Sequence, residues 1–185
     1  MKGKHMFDYK EFENRLVIQM EKTLEKLLKE YDDIYIFSLS LSNDMTWTGV
    51  IANTLHNLEE QAEPDDEDYY YYKYCEEEWD LWEMDDFQDI TDNLKEYDDI
   101  NSGIFSDNVD YTYTNAFDIH RGKLIESCKN ALVRFSHTRN QKAPGLILSF
   151  YVREYLDAEE YIEIFQQINS KEATEEYSSH TEDFV

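Results

Sequence analysis

Apolar residues recur at spacings of three and four from Phe12 through Leu16, Met20, Leu24 and Leu27 to Tyr31, which predicts an amphipathic helix over residues 8–31. Lysines and glutamates fill its other face, and Asp32-Asp33 ends the pattern. A period of two then takes over. Phe37, Leu39 and Leu41 alternate with Ser38, Ser40 and Ser42, as in a strand with one covered face. Asn43-Asp44 supplies turn chemistry and Trp47 to Ala52 resumes as a second strand, so residues 34–52 read as a hairpin. Asn53-Thr54 offers an N-cap for a short helix through Leu58 that Pro64 closes. The aromatic run Tyr69–Tyr74 favours a third strand.

Asp85 or Asp86 caps a further helix with Phe87, Ile90, Leu94 and Tyr97 on its inner face. Residues 98–116 show no clear period and read as a long surface loop, unless a strand lies near Tyr111–Tyr113. Helical spacing returns at Leu124, Cys128, Ala131, Leu132 and Phe135, inside a helix expected over 117–135. The apolar run Leu146 to Val152 after Gly145 reads as a central strand. Asp157 with Glu160 three positions on opens a last helix that buries Tyr161, Ile164, Phe165 and Ile168. The resulting order, αββαβααβα, predicts a single α+β domain over residues 1–169, with a mainly antiparallel sheet of four to five strands packed against helices. Residues 170–185 are acidic and aperiodic, which predicts a flexible tail.

Charge changes this picture most. The 185 residues carry 17 Lys and Arg against 42 Asp and Glu, a formal net charge of −25. Such a surface is unsuited to gripping nucleic-acid phosphates or an anionic membrane, since both need positive charge. Aromatic content of 15% excludes full disorder. No apolar run is long enough to span a bilayer. Met1 to His5 lead into polar sequence rather than an apolar signal region, and two cysteines make no disulfide framework, so a cytoplasmic protein is expected.

The negative charge is concentrated. Between Glu59 and Asp99 lie nineteen acids and two bases, Lys73 and Lys95. Trp79, Trp82 and the tyrosine run share that window. Trp79 and Tyr71 are the first candidates for burial, ahead of Trp82. Carboxylates that steer association, with an aromatic anchor among them, suit a basic protein partner. The residues expected to form that docking face are Asp65, Asp66, Glu67, Asp68, Glu76, Glu77, Glu78, Trp82, Asp85 and Asp86. The same run equally fits a solvated acidic face that keeps the protein soluble.

The hairpin followed by Asn53-Thr54, then Glu59, Lys73-Tyr74, Glu78-Trp79 and a closing Ile168-Asn169, resembles a bacterial family of uncharacterised small domains. Tyr74 stands where that family usually carries Trp. The resemblance covers about residues 9–169 and implies the context of immunity proteins of polymorphic toxin systems, including the SUKH-type group. Such proteins bind and neutralise a toxin in the cell that makes it. The resemblance implies no catalytic residues.

Candidate chemistry is sparse. Asp65–Asp68 lacks the alternating oxygens and the glycine of a calcium loop. His56 with Glu59-Glu60 lacks further ligands, so no metal and no cofactor is expected. No nucleophile elbow is present. Cys128 falls on an apolar stripe, and Cys75 sits among acids that disfavour its thiolate. His120 and His137 read as surface or capping residues. The expected function is therefore non-enzymatic: an immunity-type protein that neutralises a basic toxin, a nuclease with its cationic groove being the natural partner. Two alternatives stand beside it, a DNA-mimicking inhibitor of a nucleic-acid enzyme and a hydrolase built on His120 or His137.

Overall fold

The computed structural model describes residues 6–107, 112–152 and 155–181. The positions Met1 to His5, read above as lacking a signal region, lie outside the described residues, as does Tyr111. Asp8 accepts from the Glu11 amide at 2.9 Å and opens α1 (Tyr9–Glu30), whose stripe Phe12, Leu16, Met20, Leu24, Leu27 is buried. β1 (Ile34–Leu41) and β2 (Thr48–Thr54) form the expected antiparallel hairpin. Thr54 caps α2 (Leu55–Gln61) by accepting from the Asn57 amide.

Tyr69–Tyr74, expected as a strand, is instead a helix, α3. Aromatic residues favour strands because of how they pack on a pleated surface, and packing decides otherwise here. The helical turn drives Tyr74 into a buried aromatic cluster while Tyr71 and Tyr72 stay half-buried. A 3-10 turn at Glu76–Glu78 follows, and the third strand comes later as β3 (Leu81–Glu83). A second 3-10 turn, Asp85–Phe87, leads into α4 (Gln88–Phe105). That helix runs through much of the segment expected as a loop, because Phe105 is buried and anchors its end. Ser106–Asp107 (β4) and Thr112–Tyr113 (β5) pair as a short antiparallel ribbon, within the segment whose tyrosines allow a strand.

α5 (Asn115–Lys142) is longer than the periodicity suggested and buries Leu124, Cys128, Ala131, Leu132 and Phe135. Gly145, at φ 95°, turns the chain into β6 (Ile147–Val152). Asp157 and Glu160 complete the capping box of α6 (Ala158–Ile168). Residues 171–179, expected to be flexible tail, form α7, capped by Ser170 and holding Tyr177 in the core. The last four positions of that expected tail, 182–185, lie outside the described residues.

The architecture is α+β. Its main sheet has four strands in the order β3-β2-β1-β6, with antiparallel pairings except for β1 and β6, which run parallel from Ile36↔Ile147 to Leu41↔Val152. β6 is therefore an edge strand, not the central one its apolar run suggested. It reads apolar because helices cover both of its faces. β1 also departs from the expected single covered face: Ser38, Ser40 and Ser42 are buried along with Phe37, Leu39 and Leu41. Phe37, Leu39 and Leu41 join α1, α4 and α5 in one core. On the other side, Tyr35, Ile36 and Ile51 meet Leu58, Tyr74, Trp79, Tyr161, Phe165 and Tyr177 in a second, aromatic core.

Candidate functional site

The serine side of β1 is where the acidic window meets the sheet. Ser38 pairs in register with Ser149 of β6 and with Ile51 of β2, and their side chains share one face. The 3-10 turn crosses this face. Ser149 Oγ donates to Glu76 Oε1 at 2.9 Å and Ser38 Oγ donates to the same oxygen at 3.3 Å. Glu76 is buried, so it does not belong to the docking face assigned to it from sequence. Burial pushes its carboxyl up from 4.5 to about 7, and the two hydroxyl donors offset only part of that shift. A row of three glutamates gives no hint which one turns inward. The 3-10 turn selects Glu76 by aiming it at the serines.

The remaining docking candidates divide by environment. Asp65, Asp66, Glu67 and Asp68 are all exposed, in the segment between α2 and α3. Glu77 is exposed and accepts from the Tyr151 hydroxyl at 3.1 Å. Glu78 accepts from the Tyr71 hydroxyl at 2.9 Å, while its carbonyl accepts from Gln61 Nε2 at 3.1 Å and so ties α2 to the turn. Trp79 is buried, and Trp82 is 50% exposed. The Trp82 indole N–H donates to the Trp79 carbonyl at 2.7 Å, which fixes the half-exposed ring to the preceding turn. Asp85 is exposed. Asp86 is committed inside the protein: with Glu83 it holds Lys26 of α1 at 3.2 and 2.7 Å, and it accepts from Thr23 at 3.1 Å. Lys73, one of the two bases in the window, is ion-paired with Glu176 of α7, so it does little to offset the charge of the exposed acids.

The other candidate groups fall into structural roles. His120, expected at the surface, is buried among aromatic rings, stacked on Phe105 at 5.2 Å and bonded to the Tyr9 hydroxyl through Nδ1 at 2.8 Å. Desolvation pulls its imidazole down to about 4. His137 is exposed. His56 and Glu60 sit 3.5 Å apart on an exposed helix face. Cys128 is fully buried and burial raises its thiol. Burial likewise raises Cys75. Among the described residues no group of three or more His, Cys, Asp or Glu is placed to hold a metal ion.

The short motifs singled out from sequence hold the aromatic core together. Asn53 Nδ2 donates to the Tyr35 hydroxyl at 3.3 Å, which donates to the Lys73 carbonyl at 2.9 Å. Asn169 bonds both the amide and the carbonyl of Leu148, at 2.8 and 2.7 Å, and fixes the end of α6 to the edge strand.

Sequence reasoning missed three residues that face the same side as Trp82. Ser40, Trp47 and Tyr151 line a cavity beside Trp82 and Glu77. No local signal marked them, because a serine row alternating with apolar residues reads equally as the solvent face of a strand.

A family model described as a domain of unknown function, DUF4303, matches residues 16–170. It carries no link to immunity proteins or to the SUKH-type group. No curated protein and no solved structure matches the chain.

Proposed function

The chain belongs to the DUF4303 family, whose description assigns no function, and from its acidic, tryptophan-bearing surface we propose that it is a non-enzymatic, immunity-type protein that neutralises a basic toxin by binding it. The observation that carries this reading is Trp82: a half-exposed indole fixed by its own N–H, with Glu77, Asp80 and Asp85 exposed nearby in the chain. Interface hot spots are rigid aromatic anchors of this kind, and the surrounding carboxylates raise the encounter rate with a cationic partner. The exposed acids Asp65–Asp68 extend the anionic surface, and Gln61 links their neighbouring helix to the same turn. A DNA mimic needs an unbroken row of free carboxylates. Pairing of Glu83 and Asp86 with Lys26 interrupts such a row and favours the protein-docking reading.

Replacing Asp65, Glu67, Asp68 and Asp85 with lysine tests it, because all four are exposed. Association with a basic toxin domain that the native protein binds should slow by about ten- to a hundredfold at low salt, and its salt dependence should flatten. Stopped-flow measurement at low and high salt reads both. An association rate untouched by the reversal overturns the docking surface.

A further inference from the structure

A cavity of about 280 Å³ lies where β2, β3 and α4 meet, walled by Trp47, Trp82 and Met84. Its walls are held in place. Thr48 and Thr91 are buried members of the lining; the Thr91 hydroxyl donates to the Thr48 carbonyl at 3.2 Å and accepts from the Thr48 amide at 3.3 Å. The Trp82 indole N–H is tied to the Trp79 carbonyl, and the Trp47 amide donates to Ser42 Oγ at 3.0 Å. Met84 fills the space beside Gly49, where a Cβ would lie 2.2 Å from its Sδ. A site held in this way is preformed, so little ordering cost falls on a ligand that enters it.

The chemistry of this cavity is the reverse of its surroundings. The window from Glu59 to Asp99 holds nineteen acids, yet none of the described lining residues is acidic. Lys95 of α4 lines the cavity, is exposed, and makes no hydrogen bond or ion pair among the described residues. Lys73, the other base of the window, is taken by Glu176, which leaves Lys95 to meet a ligand's charge. The Trp47 indole N–H is also without a partner among the described residues and is not sealed from solvent. Two indole faces and a thioether favour a flat ring packed against them. Two unpaired donors, one of them cationic, call for a carboxylate. The volume lies just under the range of pockets that enclose drug-sized ligands, which keeps the occupant small. We propose that this cavity binds a small aromatic carboxylate. The proposal stands on the cavity's own lining and does not require the docking reading above.

The test titrates the full chain with 3-phenylpropionate, with the uncharged 3-phenylpropanamide as control. Nuclear magnetic resonance follows the three indole N–H signals, those of Trp47, Trp79 and Trp82. The titration is run at physiological ionic strength, where charges beyond about 8 Å are largely screened and the remote acids count for little. The acid should give saturable shifts at Trp47 and Trp82 and leave Trp79 still. It should bind about two- to fivefold tighter than the amide, the range of an exposed charge pair. Lys95→Met keeps an apolar stem at an exposed position and removes the charge. It should bring the acid down to the affinity of the amide and leave the amide unchanged. Absence of saturable shifts, equal affinity of acid and amide for the native chain, or a Lys95→Met chain that still prefers the acid overturns the proposal. The four acids reversed in the docking test lie outside this lining, so the two readings separate. Toxin association untouched by that reversal removes the docking surface and keeps this site, whereas slowed association without ligand shifts removes the site and keeps the surface.

Discussion

Glu76→Gln is expected to stabilise the protein by about 3 kcal/mol above pH 7 and to change little below pH 4.5, the ordinary value of a glutamate carboxyl. The carboxyl is raised to about 7 in the fold, so between 4.5 and 7 the folded chain holds a proton that the unfolded chain has released. Stability from this group is therefore full at low pH and falls as pH rises through that interval, then stays level. Ser38 and Ser149 donate to it, Glu77 adjoins it, and the hydroxyls of Tyr35, Tyr161 and Tyr177 feel its charge. Glutamine keeps the shape and an oxygen that accepts from the serines, but it carries no charge to desolvate. Urea unfolding of both proteins across that range reads the difference. Because Glu13, Asp44 and Glu176 are shifted the other way, the diagnostic quantity is the gap between variant and native protein, not either curve alone. A gap that does not vary with pH would falsify this assignment.

Tyr177→Ala should cost about 3–5 kcal/mol, the usual penalty for emptying a buried aromatic site. Tyr177 is 5% exposed, stacks on Phe165 with ring centroids 4.0 Å apart, and meets the edge of Tyr74 at 5.1 Å. A chain ended at residue 170, where the family match stops, should be destabilised at least as much, since it also loses the Glu176 partner of Lys73. Near-native unfolding midpoints in both variants would show that α7 rests on the domain without supporting it. A large loss would set the domain's physical boundary beyond its family boundary.

Some of this was legible in the residues alone. The stripe of α1 was correct to within a residue at either end, the hairpin had the right polarity, and Asp157–Glu160 formed the capping box it suggested. Of the acids proposed for docking, Asp65–Asp68, Glu77 and Asp85 are exposed, while Glu76 is buried and Asp86 is tied to α1. Lys26 lies sixty positions before Asp86, and nothing in the acidic run itself indicates that they meet. The segment 98–105 looked like loop because its only deep anchor, Phe105, comes at the very end of the helix.

Periodicity, caps and turn residues act within about one or two turns of chain, so the residues alone were enough for α1, the hairpin, the central part of α5, the α+β class and the place where charge accumulates. Only the assembled fold settles that the serine side of β1 is covered, that the tyrosine run coils and that Glu76 points inward. Each of those depends on a second layer of helices arriving from distant parts of the chain. Burial by that layer is a property of the assembled core, and no local pattern encodes it.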